Sequence, residues 1–558
     1  MRILFLTHTF NSLAQRLHIE LGRRGHEVSV EFDISDAVSV EAVTLFRPDL
    51  IVAPFLKRAI PEKIWREHVC LVVHPGIKGD RGPSALDWAI LKNETEWGVT
   101  VLQASSEMDA GDIWTEARVA MRPASKGSLY RNEVTEAAVW ALLEAVAKFE
   151  AGGFVPEALD YERPEVRGRL HQPTRQADRA IDWHHDDTAT VLRKIRSADG
   201  FPGVLDEIHG EPVYLFDAHA ETMLRGTPGE IIARHQGAIC RATVDGALWI
   251  GHLKKKPEHE PTFKLPATGV LRDKLADVPE AEPSDWREIR YEEQGQIGIL
   301  HFDFYNGAMS TPQCERLRAA YLEACQRPTR VIVLAGGEDF WSNGIHLNLI
   351  EAAASPADES WRNINAMNDL ARAIIETTSH LTISALQGNA GAGGAFLALA
   401  ADKVVARQGV VLNPHYKAMG NLYGSEYWTY LLPRRVGAAR AHEITENRLP
   451  LDAAQAKEIG LIDDCFGSDR SGFWREVDSL ALQLARDSVQ LLAAKHERRL
   501  NNEAEKPLAA YRAEELAHMK RNFYGFDPSY HVARYNFVCK IPQSHTPRHL
   551  ALHRAPAK

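Results

Sequence analysis

Two glycine-rich turns in the second half of the chain carry its clearest chemical signal. One reads Gln387-Gly-Asn-Ala-Gly-Ala-Gly-Gly-Ala-Phe396 and runs into an apolar stretch that ends at Asp402. The other, Phe340-Trp-Ser-Asn-Gly-Ile-His346, lies upstream. A turn that opens a helix leaves backbone N–H groups without partners and directs them at whatever lies above it. Two such N–H groups, converging from separate turns, can hold a thioester oxygen as it becomes an oxyanion.

A different set of groups in the first half is suited to acid–base chemistry. His74 follows an apolar, strand-like run and opens a His-Pro-Gly turn, and Asp109 begins the turn Asp-Ala-Gly-Asp. A carboxylate can orient and charge-stabilise an imidazole, which exchanges protons near neutral pH. Either residue alone is more often structural, whereas the ordered set with Arg81-Gly-Pro between them favours a catalytic role. We therefore expect two active sites in one polypeptide.

Residues 1–255 resemble the formyltransferases that use 10-formyltetrahydrofolate, such as methionyl-tRNA formyltransferase. The family pattern is Asn-x-His, then an Arg-Gly turn, then Asp-x-Gly-Asp. The resemblance implies that His74 and Asp109 are the catalytic pair and that Arg81 and Gly82 help to bind the folate. Val72 occupies the position of the family's asparagine, which helps to hold the formyl oxygen. Oxyanion stabilisation must then come from elsewhere, or transfer is slow.

Residues 287–500 resemble the crotonase (enoyl-CoA hydratase/isomerase) superfamily. Both glycine-rich turns match the family's motifs in order, as does the later run Leu451-Asp-Ala-Ala-Gln-Ala-Lys-Glu-Ile-Gly-Leu-Ile462. The resemblance implies a coenzyme A thioester site whose oxyanion donors are the backbone N–H groups of Ile345 and Gly393. The further CoA-binding positions that it implies are Asn306, Ala308, Gly344 and Gly394.

Two departures from the crotonase pattern argue against ordinary enoyl-CoA hydration. Phe396 and His415 stand where hydratases place their two catalytic glutamates. Adding water across a double bond needs a positioned acid–base pair, which phenylalanine cannot supply. We expect Glu426 and Tyr416 to handle protons instead, with His415 in support and Tyr423 nearby, although each alone is as often a structural residue. Their division into acid and base stays open.

Alternating apolar runs and helix-like segments predict an α/β fold with several domains. Residues 1–160 predict a Rossmann-like sheet that binds ligands at the carboxyl ends of its strands. Short strands between glycine turns predict a small β-barrel over 161–255, and the Lys, Pro, Glu and Asp of 256–286 predict a linker. A crotonase-like domain is expected over 287–470, and a helical C-terminal region with a solvated tail over 471–558.

Composition limits the classes of protein to which the chain can belong. At 558 residues it is too long for one core. A net charge of −10 argues against nucleic-acid binding, and no apolar run approaches the roughly 20 residues that span a bilayer. Six cysteines without CxxC spacing suit a reducing compartment, and no His or Cys pair has strong metal-ligand spacing. We expect a cytoplasmic protein without a metal site.

The pairing of these two domains is that of a family of hydrogenase maturation factors, which the chain resembles over nearly its whole length. The resemblance implies a bifunctional enzyme that moves the formyl group of 10-formyltetrahydrofolate to coenzyme A and then splits formyl-CoA into carbon monoxide and CoA. Carbon monoxide would become the iron ligand of a NiFe-hydrogenase, so the hydrogenase large subunit or a maturation chaperone complex is the expected partner. Two alternatives stay open: a formyltransferase for an amine with a regulatory CoA domain, and a non-catalytic carrier of formyl-folate or CoA.

Overall fold

The computed structural model describes residues 1–555 and divides the chain into two compact units. Unit 1 joins Met1–Trp286 to the chain that follows residue 541, and unit 2 is Arg287–Ile541. Each unit has its own sheets and its own buried apolar clusters. Each unit can therefore position a site of its own.

Unit 1 begins with a six-stranded sheet flanked by helices. Its strands are β1 (Arg2–Thr7), β2 (Glu27–Phe32), β3 (Leu50–Ala53), β4 (Cys70–His74), β5 (Glu96–Gln103) and β6 (Ile113–Ala120). The helices are α1 (Ser12–Arg23), α2 (Asp36–Phe46), α3 (Glu62–Trp65), α4 (Ala85–Leu91), α5 (Lys126–Leu129) and α6 (Thr135–Ala151). The order is β2-β1-β3-β4-β5-β6, with β1 to β4 parallel and the last two strands antiparallel. The expected α/β class is confirmed, and β4 ends at the predicted histidine.

A smaller antiparallel sheet follows in unit 1. It contains β7 (Val204–Ile208), β8 (Glu211–Glu221), β9 (Ile231–His235), β10 (Ala238–Ala242), β11 (Ala247–Lys255) and β12 (Leu265–Pro266), with α7 (Thr188–Ala198) and α8 (Ala267–Leu271). The strands pair in the order β7-β8-β11-β10-β9, with β12 on β11, in the region where the sequence predicts a small β-barrel. Apolar residues of α7 and α8 pack into this sheet's core.

The predicted linker is partly folded. Within it, β12 pairs with β11, and Leu271 and Leu275 are buried in the core of the small sheet. The charged composition of 256–286 concealed a few well-spaced apolar residues, which are enough to attach a short helix.

The tail is packed rather than solvated, which corrects the expectation from its composition. It lies along β2, the edge strand of the first sheet, where Val30 N donates to Leu550 O at 2.9 Å. Glu31 is buried there and accepts from His553 Nε2 at 2.9 Å and Arg554 Nε at 2.7 Å. The basic composition suggested a solvated end, yet those basic groups are the partners of a buried acid.

Unit 2 contains a main sheet and a smaller one. The strands are β13 (Ile289–Gln294), β14 (Ile297–Phe302), β15 (Ala308–Met309), β16 (Val331–Ala335), β17 (Phe340–Ser342), β18 (Gly344–Ile345), β19 (Leu381–Leu386), β20 (Asn389–Gly391), β21 (Lys403–Arg407), β22 (Val411–Asn413), β23 (Leu451–Asp452) and β24 (Asp464–Phe466). The main order is β13-β14-β16-β19-β21-β24, and the smaller sheet runs β17-β20-β22-β23. Because β17 pairs with β20 in the smaller sheet, the two glycine-rich turns lie side by side.

Helices enclose the sheets of unit 2. They are α9 (Thr311–Ala324), α10 (Leu347–Ala352), α11 (Pro356–Glu376), α12 (Gly393–Leu399), α13 (Trp428–Val436), α14 (Ala438–Asn447), α15 (Ala453–Glu458), α16 (Arg470–Arg486), α17 (Ser488–Glu505), α18 (Leu508–Tyr524) and α19 (Ser529–Val538). Met519 and Phe523 of α18 belong to the same buried cluster as Phe396. The C-terminal helices therefore help to build the second site.

Candidate active sites

The first candidate site lies at the end of β4, where two carboxylates flank one imidazole. His74 Nδ1 is 3.6 Å from Asp109 Oδ2, and His74 Nε2 is 2.8 Å from Asp80 Oδ2. The histidine ring and the Asp80 carboxylate are both buried. The structure thus brings the predicted pair together, but the direct hydrogen-bond partner of His74 is Asp80.

The turn that carries Asp109 is held by the residues predicted to bind folate. Gly82 N donates to Asp109 Oδ2 at 3.1 Å, and Arg81 Nε donates to Met108 O at 3.0 Å. Arg81 also pairs with Glu107 at 3.0 Å. Asp109 itself has φ 53°, a left-handed conformation that costs a non-glycine residue free energy and is typical of functional sites. Arg81 and Gly82 therefore position the Asp109 carboxylate beside His74.

Two features of this site bear on what the sequence could reveal. Val72 lies opposite Leu102 across β4 and β5, and its side chain offers no group that could bond a formyl oxygen. Asp80 escaped prediction because it lies in a glycine loop without periodicity. Its second partner, His171, comes 91 residues later and was invisible to motif spacing.

In unit 2 the two glycine-rich turns contact each other. The strand β18 pairs with β15, so Gly344 lies opposite Ala308, and Asn306 O accepts from the side chain of Asn343 at 2.8 Å. A Cβ atom on Gly344 would lie only 3.1 Å from Gly393 N. Ile345 directly follows Gly344. The predicted oxyanion donors, Ile345 and Gly393, therefore belong to adjoining turns.

Gly393 and Gly394 make room for close neighbours at the start of α12. A Cβ atom on Gly393 would lie 2.4 Å from Glu426 Oε1, and one on Gly394 would lie 2.1 Å from Ser342 O. Neither distance is sterically possible, so only glycine allows these approaches. The predicted carboxylate and the predicted oxyanion donor are thus direct neighbours.

Glu426 is a buried carboxyl whose Oε2 accepts from the Tyr416 hydroxyl and from Ser425 N. The Tyr416 hydroxyl donates to Glu426 Oε2 at 2.5 Å, and the Tyr416 ring stacks on Phe396 with 5.1 Å between centroids. Burial raises the pKa of Glu426 to about 8, with the charge of Glu515 adding to the rise and the Tyr416 hydrogen bond opposing it. Burial also raises the pKa of Tyr416 well above its usual value. Within residues 1–555, Glu426 Oε1 has no hydrogen-bond partner.

The segment around Glu426 is fixed by residues that sequence reasoning missed. Asn368 Oδ1 accepts from Glu426 N at 2.7 Å. Glu515, from α18, accepts from Tyr427 N at 3.0 Å and from Thr429 N at 2.9 Å. Burial raises the pKa of Glu515 to about 7. Neither residue belongs to a recognisable motif, so only the fold reveals them.

The two remaining predicted residues have separate surroundings. His415 is buried, and its backbone N–H donates to Asn413 O at 2.9 Å. The Tyr423 ring stacks on His518, with 4.0 Å between centroids. Within the predicted polar set, a hydrogen bond joins Tyr416 to Glu426.

Some other classes of site receive no support from the geometry. Among residues 1–555, no three His, Cys, Asp or Glu side chains are arranged to hold a metal ion. In the same part of the chain, no helix is long and apolar enough to cross a membrane. All six cysteines are free thiols.

Comparison with known proteins places both units in established families. The formyl transferase model matches residues 33–146, the formyl transferase C-terminal domain model matches 174–264, and the enoyl-CoA hydratase/isomerase model matches 306–533. The methionyl-tRNA formyltransferase of Desulfotalea psychrophila is 29% identical over 213 residues, which is 38% of this chain and 62% of that protein.

Two relatives extend over the whole chain. The hydrogenase maturation factor HoxX of Bradyrhizobium diazoefficiens is 58% identical over 556 residues, or 99% of this chain and 97% of that protein. The crystal structure of HypX from Aquifex aeolicus, in complex with tetrahydrofolic acid, is 49% identical and matches with a TM-score of 0.96 over 100% of this chain and 99% of that one. The chain therefore belongs to the HypX/HoxX family of hydrogenase maturation factors, with a formyltransferase region followed by an enoyl-CoA hydratase-like region.

Proposed function

We propose that this chain makes carbon monoxide for a NiFe-hydrogenase in two steps. The first moves the formyl group of 10-formyltetrahydrofolate to the thiol of coenzyme A, and the second splits formyl-CoA into carbon monoxide and CoA. The observation that carries the proposal is the buried oxygen Glu426 Oε1, which lies against Gly393 and has no hydrogen-bond partner in the part of the chain that the structure describes. The tetrahydrofolic acid in the Aquifex aeolicus relative supports a folate donor. The recipient would be the hydrogenase large subunit or a maturation chaperone complex.

The first step needs a group that accepts the thiol proton and returns it to the folate nitrogen. His74 suits this role, because an imidazole exchanges protons near neutral pH and two carboxylates, Asp80 and Asp109, face it. The C–S bond forms, the C–N bond breaks, and the proton from sulfur ends on the nitrogen of tetrahydrofolate. Atoms and charge therefore balance without a further reactant.

The second site suits a small thioester better than an enoyl-CoA. Phe396 takes the place of a hydratase glutamate and stacks on Tyr416, so an apolar wall replaces the group that would activate water. Both side chains are buried, which keeps water from hydrolysing the formyl thioester. Formyl-CoA has no α-carbon, so enolate chemistry is impossible and one proton-accepting oxygen is sufficient.

Glu426 would serve as base and then as acid in the second step. Tyr416 keeps its proton, because its pKa lies well above the usual value, and it occupies Glu426 Oε2. Oε1 then takes the formyl proton while the C–S electrons leave with sulfur, and the same oxygen returns the proton to the thiolate. The N–H groups of Ile345 and Gly393 polarise the carbonyl and make its C–H more acidic.

Two variants separate the steps. With 10-formyltetrahydrofolate and CoA supplied, Glu426→Gln should accumulate formyl-CoA and lose about 10²–10⁴-fold in carbon monoxide formation. His74→Ala should make no formyl-CoA, yet it should release carbon monoxide from added formyl-CoA at the parent rate. Glu446→Gln, an exposed carboxylate of unit 2 that pairs with Lys417, is the control. Undiminished carbon monoxide from Glu426→Gln would refute the proposed second step.

A further inference from the structure

In the first site, two histidines share one carboxylate, that of Asp80. Asp80 has a fully buried side chain, and its two oxygens bond different rings. Oδ2 is 2.8 Å from His74 Nε2, and Oδ1 is 3.0 Å from His171 Nδ1. An ionised carboxylate only accepts hydrogen bonds, so each ring must direct an N–H group at Asp80.

The outer histidine is fixed from its other side. Lys92 Nζ lies 2.9 Å from His171 Nε2, and an ammonium group can only donate. The hydrogen of neutral His171 therefore lies on Nδ1, directed at Asp80. The Trp88 ring stacks against His171, with 5.9 Å between centroids, and restrains the orientation of the imidazole.

These contacts determine which nitrogen of His74 can exchange a proton. Because Nε2 donates to Asp80, the lone pair of the neutral ring lies on Nδ1. Nδ1 is 3.6 Å from Asp109 Oδ2, which is longer than a hydrogen bond, so this nitrogen is not committed to a partner of its own. Resting on the proposed formyl transfer, we propose that Asp80 and His171 are positioning residues that fix the tautomer of His74 and present Nδ1 as its proton-exchanging atom.

The backbone shows that this arrangement is built into unit 1. The chain around residues 168–171 runs beside the loop of Asp80, with Gly168 N donating to Lys78 O at 3.0 Å and His171 N donating to Arg81 O at 2.9 Å. This strap lies between the two stretches that match formyl transferase models, 33–146 and 174–264. A Cβ atom on Gly76 would lie 2.4 Å from His74 Nε2, so glycine leaves the space for the contact with Asp80.

The chemistry of transfer follows from this tautomer. His74 Nδ1 takes the thiol proton, and the resulting imidazolium lies between the carboxylates of Asp80 and Asp109. The same nitrogen then gives the proton to the folate nitrogen as the C–N bond breaks. Asp80 contributes by stabilising the charge on the ring and by keeping Nε2 from competing for the proton.

Nitrogen-15 NMR of the ring nitrogens, on the full chain without substrates, tests the tautomer directly. In the parent, the His74 signal that His74→Ala removes should show hydrogen on Nε2 and none on Nδ1. Asp80→Asn presents an amide that can donate to Nε2, so the hydrogen should move to Nδ1. Formyl-CoA formation should then fall roughly 10²-fold, because the proton-exchanging atom is blocked.

Variants of the outer histidine test the same proposal without altering the buried acid. His171→Asn keeps a donor for Asp80 and should keep most of the activity, whereas His171→Leu should mix the His74 tautomers and shift the pH profile of formyl-CoA formation. His219→Asn is the control, because His219 pairs with Asp217 at 2.8 Å elsewhere in unit 1.

An unchanged His74 tautomer in Asp80→Asn, or His171→Leu with the parent's tautomer and pH profile, would overturn the assignment. A parent protein that makes no formyl-CoA would overturn the proposed function alone, since the NMR spectra still decide which nitrogen carries the hydrogen.

Discussion

Glu426 combines three properties that are uncommon in a purely structural residue. Its carboxyl is buried, its backbone has φ 58°, and, within the described chain, one of its oxygens lacks a hydrogen-bond partner. Left-handed strain costs on the order of 1–3 kcal/mol in a non-glycine residue and persists where the surrounding fold imposes it. At the residue scale, these properties are the reason that we propose Glu426 as the base of the second reaction.

Tyr416→Phe should move the pH dependence of carbon monoxide formation. The Tyr416 hydrogen bond lowers the pKa of Glu426 against the effect of burial, so its loss raises that pKa above about 8. Because the proposed base must be ionised, the rate with added formyl-CoA should rise with pH in the parent and rise only at higher pH in the variant. A profile that falls through pH 8 in the parent would show that Glu426 acts as an acid in the rate-limiting step.

Tyr321→Phe is the matched control for that experiment. Tyr321 is also fully buried in unit 2, and its hydroxyl donates to Thr377 at 2.7 Å instead of to a carboxylate. Its removal should leave the pH profile of carbon monoxide formation in place.

Unit 2 should lose stability as the pH rises from about 5 to about 8. Unfolded glutamates ionise near 4.5, whereas the pKa of Glu426 is about 8 and that of Glu515 about 7 in the folded chain. The folded state therefore binds more protons, and the free energy of unfolding falls by up to ~1.4 kcal/mol per pH unit for each group. Calorimetry across this range should show a flatter decline for Glu426→Gln. Equal slopes would mean that Glu426 ionises normally in the fold.

At the scale of elements, sequence patterns predicted what is regular. Alternating apolar runs and helix-like segments predicted the α/β class, because strands such as β3 and β14 are short apolar runs that are recognisable locally. The glycine turns were also recognisable, because close neighbours leave no room for a side chain at positions such as Gly393, and the sequence must place glycine there. Asp80 and Glu515 could not be predicted, because each acts through partners distant in sequence and neither has a motif. The tail was misjudged because composition does not reveal a buried partner such as Glu31.

Glu515→Gln should loosen the start of α13. Its carboxylate accepts from Tyr427 N and Thr429 N, two donors at a helix N-terminus that have no other acceptor among the described residues. An amide supplies one acceptor oxygen fewer and adds a donor, so we expect a loss of about 1–3 kcal/mol in stability together with slower carbon monoxide formation. Glu514→Gln, the exposed neighbour that pairs with Lys506, should change neither quantity in chemical denaturation and activity assays.

His553→Ala should destabilise unit 1 through β2. Hydrogen bonds from His553, Thr546 and Arg554 outweigh burial and hold the pKa of Glu31 below its usual value. Removing His553 takes one of two donors from Glu31 Oε2 and leaves Arg554 as the other, at a cost of about 1–3 kcal/mol for the lost hydrogen bond to a charged group. Faster hydrogen exchange in β2, with unchanged release of carbon monoxide from added formyl-CoA, is the expected result. His545→Ala, at an exposed position of the same tail, is the control.

At the scale of the molecule, the two units would carry complementary halves of the proposed reaction sequence. Unit 1 matches formyl transferase models and contains a histidine between two carboxylates. Unit 2 matches the enoyl-CoA hydratase/isomerase model and has Phe396 and His415 at the positions predicted for the two hydratase glutamates. A hydratase-like site that keeps the adjoining glycine turns but lacks the acid–base pair suits a thioester whose reaction consumes no water. Formyl-CoA is the compound that would link the two halves.

The most direct measurement supplies the protein with 10-formyltetrahydrofolate labelled in the formyl carbon and traps gas on haemoglobin, with and without coenzyme A. The proposed function predicts labelled carbon monoxide only when coenzyme A is present, with tetrahydrofolate released in equal amount. Labelled formate as the sole product, or carbon monoxide formed equally well without coenzyme A, would contradict it.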